Sequence, residues 1–479
     1  MLRKDHFMLH PISTPALMLL AGLALGPAAT AAVTTDIFVE PTTPGSGDSF
    51  GSSLAIGNSF FVSGAPTDDD VASNAGSATV YFADPSTGLP STATLEAPIG
   101  LSAGANFGNV VAADEDTFIV SAPAQHNSVA SPIGAVYVYT VSSSTISLQA
   151  VLQPSTIIPS DLFGQDVDIV GDTIVVGAPG SAGGEGSVFV YNRTMGDWSS
   201  GTEFFGPHGA DGDGFGWSVA LDHDNEKRMV VGAPWDSDAG LDAGRIHLFE
   251  NLMSTWVPLY EIDRGDIGAP TDRLGIKLDF DGDHFAAGEP LNGNGLVHMI
   301  GWDSSMTTWG LVETLSPSTA ANYALFGESF SLYDELLAVG VRQSDLNGTL
   351  SGAGYLFRLV ADGDWNQLVE LEDGGGSAGY SLGQGVSVLG DIMIMGSPGA
   401  QAASTVQGGL VFGWDVMTTP GCPADIEMTG NVDADDILAF LLGWGTCADP
   451  WGCPEDINDD GVTDVNDLML LLSDWGACD

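Results

Sequence analysis

The residues best placed to do chemistry lie near the C-terminal end of the sequence, where oxygen-bearing side chains recur at fixed spacing. Asp456, Asn458, Asp460, Asp464 and Asp467 fill positions 1, 3, 5, 9 and 12 of a twelve-residue stretch, with Gly461 at position 6. Such a set suits Ca2+, a hard cation that takes six or more oxygen ligands, and the glycine permits the sharp turn around it. Val462, at position 7, would add its backbone carbonyl. The pattern recurs 31 residues earlier in worn form, as Asp425, Glu427, Thr429, Gly430, Asn431, Asp433 and Asp436. Glu427 is longer than the usual third ligand and Thr429 offers only a neutral oxygen, so this half should bind more weakly.

Each loop runs into an apolar helix, Ile437 to Trp444 and Leu468 to Trp475. Two short helices cannot hide so much apolar surface against each other, and an exposed remainder marks a partner site. All four cysteines, Cys422, Cys447, Cys453 and Cys478, fall in this tail. In an exported chain they suggest two disulfides. The tail, residues 418–479, resembles a type I dockerin, a duplicated calcium loop-helix module, and most closely a cysteine-bracketed variety. The resemblance implies Ca2+ as cofactor and a cohesin-like or other surface or scaffold protein as partner. Its partner-reading positions fall on Ala434-Asp435 and Val465-Asn466, neither of which is the Ser-Thr pair of cellulosomal dockerins. Pairing Cys422 with Cys447 and Cys453 with Cys478 would staple each half, although three connectivities stay open.

The rest of the chain is organised by a different repeat. A Phe-Gly or Leu-Gly pair is followed by Gly-Ala-Pro or a worn version of it, seven times over. The pairs are Phe50-Gly51, Phe107-Gly108, Phe163-Gly164, Phe215-Gly216, Leu274-Gly275, Phe326-Gly327 and Leu382-Gly383. The closing triplets run from Gly64-Ala65-Pro66 to Gly396-Ser397-Pro398, with Gly288-Glu289-Pro290 and Gly340-Val341-Arg342 the most altered. A period of 52 to 59 residues means one supersecondary unit repeated. Within each unit three runs read as strands, with turn pairs such as Gly57-Asn58 and Gly171-Asp172 between the first two. A fourth strand precedes each Phe-Gly, for example Ala93 to Pro98 and Val312 to Pro317, and the first of this set is Ile37 to Pro41. The last unit lacks its own fourth strand, so the N-terminal one should close a seven-bladed β-propeller over residues 33–417 and remove two open sheet edges.

This pattern resembles the FG-GAP repeat of the integrin α-subunit propeller and its bacterial relatives. The resemblance implies that Phe or Leu wedges between blades while the adjacent glycine lets backbones approach. Many such propellers carry calcium between the two motifs, but six of the seven hairpins here are too short. The longer fourth, with Asp222, Asp224 and Glu226, reads as a structural turn because Lys227 and Arg228 follow at once.

Arg3 and Lys4, the apolar run Pro15 to Leu25 and Ala29-Thr30-Ala31 form the pattern of a secretory signal peptide, residues 1–32. The mature chain is therefore expected outside the cell, without membrane insertion. A net charge of −52 with 11 Lys and Arg excludes a nucleic-acid partner. No zinc-protease helix or sialidase box is present, and no catalytic residue is assigned. His208 near Asp211 and Asp213, and Asp68-Asp69-Asp70, read as solvated loops. The fold expected is mainly β with a small α-helical calcium-loop module. The function expected is non-catalytic binding of a protein or glycan by the propeller, tethered by the tail. The rival is a polysaccharide-acting hydrolase or lyase delivered to a multi-enzyme complex. Asp456→Ala should abolish the tighter calcium site of the full-length protein, counted by equilibrium dialysis. Unchanged stoichiometry and affinity would refute the ligand assignment.

Overall fold

The computed structural model describes residues 37–415 apart from 42–44, 84–89, 96–97, 99, 127–131, 143, 225–226, 253–254, 264–272, 304–307, 318–324, 346–348, 361–363, 372–377, 391 and 401–407. In the tail it describes 431–432, 437, 440, 445–446, 462–463, 465, 468, 471 and 476–477. The leader read at residues 1–32 lies outside these. Two compact units result, Ile37–Gly413 and a second that includes Trp414–Asp479.

The first unit is a seven-bladed propeller of antiparallel sheets. Its innermost strands are Ser53–Ile56, Val111–Asp114, Val167–Val170, Val219–Leu221, Leu278–Asp281, Ser329–Tyr333 and Val386–Leu389. Three more strands follow outward in blades 1 to 6, blade 3 carrying an additional short one, Asp197–Trp198. In blade 7 the outermost place is taken by Ile37–Val39, which pairs Ile37 with Gly413, Phe38 with Phe412 and Val39 with Val411. The ring closes as the missing fourth strand required. The outer strands start earlier than sequence patterning indicates, at Pro90, Thr145 and Thr308. Each opens with at most one large apolar side chain, Ile146 or Trp309, too few for an alternation to announce the strand.

The repeated motif is the joint between blades. The glycine after each Phe or Leu sits at φ between 86° and 90° in all seven copies, a region open to glycine without penalty. In six copies its N–H donates to the carbonyl of the closing triplet of its own blade, as in Gly164 to Gly177 (3.0 Å) and Gly383 to Gly396 (2.9 Å). Its own carbonyl lies against the triplet glycine of the preceding blade. A Cβ on Gly64 would overlap the Gly108 carbonyl, and one on Gly177 that of Gly216. The Phe or Leu donates its N–H backwards, Phe107 to Ala75 (2.9 Å) and Phe215 to Glu185 (2.9 Å), and buries its side chain fully. Phe107 then packs with Ala78 and Val80 of blade 1 and Tyr137 of blade 2, the wedge that the motif implied. Among the described residues a parallel bridge marks every joint except that between blades 2 and 3. There Ser121 stands where the triplet glycine belongs.

Four outer strands shift register at the same place, opposite Val138/Tyr139, Leu248/Phe249, Met299/Ile300 and Leu356/Phe357. A bulge there bends the exposed edge and blunts its use as a template for a foreign strand.

The two most worn triplets are compensated. Glu289 replaces the buried alanine of Gly-Ala-Pro, is 1% exposed, and meets His298 Nε2 at 2.9 Å. His298 holds the register position filled by Tyr137, Phe189 and Tyr355 in blades 2, 3 and 6. Its Nδ1 lies 3.0 Å from Thr314 Oγ1. Arg342 replaces the proline in blade 6 and grips Glu328 bidentately (2.5 and 2.9 Å). Each loss of the apolar pattern thus brought its own polar partner. Glu289→Ala or His298→Tyr alone should cost about 3 kcal/mol by stranding a buried polar group. The double variant, which restores the alanine and tyrosine of blade 2, should cost far less. Additive losses in a denaturant-unfolding cycle would contradict the pairing.

Candidate functional site

The inner strands all run in one direction around an axial channel of about 710 Å³. Because side chains alternate along a strand, every second residue of each inner strand faces this space. One mouth is ringed by the residue after each Phe-Gly or Leu-Gly pair: Ser52, Asn109, Gln165, Trp217, Ile276, Glu328 and Gln384. The other mouth carries hairpin residues, among them Asn58, Glu115, Asp224, Asp283 and Glu335. Eleven carboxylates line the whole against a single lysine, Lys277.

Many of these carboxylates are structural staples. Asp114 accepts the Gly171 N–H (2.6 Å), Asp168 that of Leu221 (2.7 Å), Asp279 that of Leu332 (2.7 Å) and Asp281 that of Asp334 (2.5 Å). Each bond joins one blade to the next across the channel wall. Asp166 accepts from both Ser218 Oγ and the Val219 N–H (3.0 Å each), with Lys277 Nζ at 3.9 Å. Burial pushes the carboxyl of Asp168 up to about 6, against the lowering effect of nearby His223, and does the same to Asp281. Burial opposes the charge on His223, yet Asp168, Asp279, Asp281 and Asp114 together raise it. Sequence patterning missed these residues. Their only signal is alternation, such as Asp166 and Asp168 or Asp279 and Asp281, and it has no direction until the ring is known.

The longer hairpin of blade 4 is a turn. Asp222 is fully buried, meets Arg228 Nη2 at 2.6 Å, and accepts the N–H groups of Asp224 (3.0 Å) and Gly282 (2.8 Å). Glu226 lies outside the described residues. The loop at Asp68-Asp69-Asp70 is exposed only in part: Asp68 is 8% exposed and accepts from Ser77 Oγ (2.5 Å) and the Asp70 N–H (2.8 Å). His208 is exposed and stands 3.5 Å from Glu261. Asp213, by contrast, is buried and accepts the Ala210 N–H (2.7 Å).

In the tail, only Asn431 and Val462 of the twelve residues expected to ligate calcium are described. Asp425, Glu427, Thr429, Asp433, Asp436, Asp456, Asn458, Asp460, Asp464 and Asp467 lie outside the described residues, as do Cys422, Cys447, Cys453 and Cys478. The described positions do repeat. Asn431–Val432 pairs with Gly476–Ala477, and Gly445–Thr446 pairs with Val462–Thr463. These are the same two segments of each half, exchanged between halves. Ile437 and Phe440 are helical, as are their 31-residue counterparts Leu468 and Leu471. Phe440 and Leu471 are fully buried, and Val465 is 55% exposed. Among the described residues no cluster of three His, Cys, Asp or Glu side chains could hold a metal. No helix among them is long and apolar enough to cross a membrane.

Fold and channel define the class: a seven-bladed β-propeller closed by its N-terminal strand. The family model described as the FG-GAP repeat matches residues 43–81, 92–139, 146–191, 198–249 and 309–357. The opening motifs of blades 5 and 7, which have Leu in place of Phe, fall outside these segments. No curated protein matches the chain. Solved structures similar to it include Sqt1 of Saccharomyces cerevisiae, at 13% identity and TM-score 0.45, covering 81% of this chain and 86% of that one. The periplasmic gluconolactonase PpgL of Pseudomonas aeruginosa matches at 16% identity and TM-score 0.44, covering 67% of this chain and 85% of that one. At these values neither likeness bears on activity.

The raised groups in the channel share one sign. Asp168 and Asp281 hold a proton more tightly folded than unfolded, so their contribution is full below about pH 4 and lost as pH rises through about 6. His223 acts likewise, contributing below its unfolded value of 6.5 and less above its raised folded value. Melting temperature should therefore fall from pH 5 to pH 8, with at most about 3 kcal/mol from each aspartate. Asp281→Asn should flatten the profile. A melting temperature that rises over this interval would contradict the assignment.

Proposed function

We propose that the protein is an exported, non-catalytic recognition protein whose propeller binds a ligand while its tail docks, with calcium, to a surface or scaffold component. The observation that carries the docking half is the exchanged pairing of the tail. Position 7 of each loop, Asn431 and Val462, lies in a short bridge to the segment that follows the opposite helix. Two loops cross-braced in this way order together, so calcium in either one organises both. The ligand set remains the one read from spacing, with Asp456 to Asp467 the stronger half and Asp425 to Asp436 the weaker. The propeller half is supported by the closed ring, which holds the channel mouth rigid.

A second reading, a secreted polysaccharide-acting enzyme, draws on Asp168 and Asp281, whose carboxyls burial shifts to about 6 within a cavity. Both already accept backbone N–H groups of the next blade, which gives them a structural task. Recognition is the better account.

The test uses the immobilised full-length protein against surface and secreted fractions of its own cells, in millimolar calcium and then in chelator. Capture of a discrete protein is expected in calcium alone, and it should be lost in a variant carrying both Asp456→Ala and Asp436→Ala. Capture that persists in chelator, or in that variant, would contradict calcium-dependent docking.

A further inference from the structure

The channel mouth beside the Phe-Gly motifs differs in kind from the channel below it. Asn109, Gln165 and Gln384 bring side-chain amides to it from blades 2, 3 and 7, and Trp217 brings an indole from blade 4. All four are half-buried, as groups on the wall of an open cavity must be. Gln384 donates to Ser52 Oγ (3.3 Å), whereas the amides of Asn109 and Gln165 have no hydrogen-bond partner among the described residues. An amide both donates and accepts, and so does a sugar hydroxyl.

The indole is buttressed. Trp217 meets Trp235 edge to face, with ring centroids 4.5 Å apart and planes at 90°. Trp235 directly follows Gly232-Ala233-Pro234, and no other blade has tryptophan after either motif. Arg273, from the joint with blade 5, lies over Trp235 at 5.7 Å. A half-exposed indole braced by Trp235, which Arg273 in turn covers, beside uncommitted amides, is suited to the apolar face and hydroxyl rim of a pyranose ring.

Resting on the reading of the propeller as the recognition unit, we infer that this mouth binds a neutral glycan, with one sugar against Trp217 and its hydroxyls on Gln165 and Asn109. Two competing chemistries fit less well. An anionic polymer would face the eleven carboxylates of the channel. A quaternary ammonium ion would suit an aromatic pair near carboxylates. Here, however, the guanidinium of Arg273 already covers Trp235, which leaves Trp217 as a single indole and not the aromatic cage that such an ion needs. The cavity volume of about 710 Å³ falls within the range of small-ligand sites, enough for part of an oligosaccharide.

The experiment is calorimetric titration of the full-length protein with neutral hexasaccharides of the β-glucan, mannan, xylan and chitin types, and with choline. Binding of at least one oligosaccharide is expected, weakened tenfold or more by Trp217→Ala and several-fold by Gln165→Ala. Trp302→Ala, a half-exposed tryptophan outside the channel wall, should leave the affinity unchanged, and melting curves will show that each variant is folded. Binding that survives both Trp217→Ala and Gln165→Ala would overturn this site while leaving recognition by the propeller intact. Choline binding lost in Trp217→Ala, without any oligosaccharide binding, would replace the glycan by a cation. No binding of any oligosaccharide at millimolar concentration would overturn the inference, whether or not calcium-dependent capture is seen.

Discussion

Neighbouring blades of this propeller meet backbone to backbone, and the rest of the structure depends on that contact. The glycine after each Phe or Leu sets its carbonyl against the triplet glycine of the blade before, where a Cβ would collide. Aromatic side chains then fill the wedge on either side. Nothing else around the ring is held so tightly in type. Loops, outer strands and channel residues vary, while the joint keeps its glycine conformation in all seven copies. The exceptions obey the same physics. Where Ser121 replaces glycine the bridge to the next blade is missing, and where the triplet lost its alanine or proline a polar partner arrived with the change.

The architecture was legible because the joint is a sequence motif. Its period counts the blades, and the lone strand Ile37 to Pro41 showed how the ring closes. Other features have no such signature. The residue before each Phe or Leu lies in the left-handed region, at φ between 56° and 69°, and it is Ser, Asn, Leu or Arg in six of the seven copies. Apart from Asn106, such residues do not favour that conformation on their own, so the joint imposes it. Channel residues were hidden for another reason. Alternation along a four-residue strand marks two faces without saying which one lines the axis. In the tail the duplication could be read from spacing and recurs in the described pairing, while ten of the twelve residues expected to ligate calcium lie outside the described set.

The two ends of the molecule suit different tasks. Inside the propeller, carboxylates tie one blade to the next through backbone N–H groups, so the acidity of the channel is partly a building device. At the mouth the residue that follows each Phe-Gly or Leu-Gly pair is an amide in three blades and an indole in a fourth. In the tail, acidity is concentrated in two loops whose spacing fits a hard cation. A chain of net charge −52 thus uses part of its acidity as staples between blades, beside the solvated surface and the loops for which calcium is proposed.

Native-state hydrogen exchange tests the central claim, that backbone contact at the joints makes the blades one cooperative ring. The amides of Phe107, Phe215, Leu274, Phe326 and Leu382 donate across their joints and should exchange only through global unfolding. Phe163, at the joint altered by Ser121, should exchange faster than these five. Exchange of any of the five through local opening, or a Phe163 amide as protected as theirs, would contradict the account.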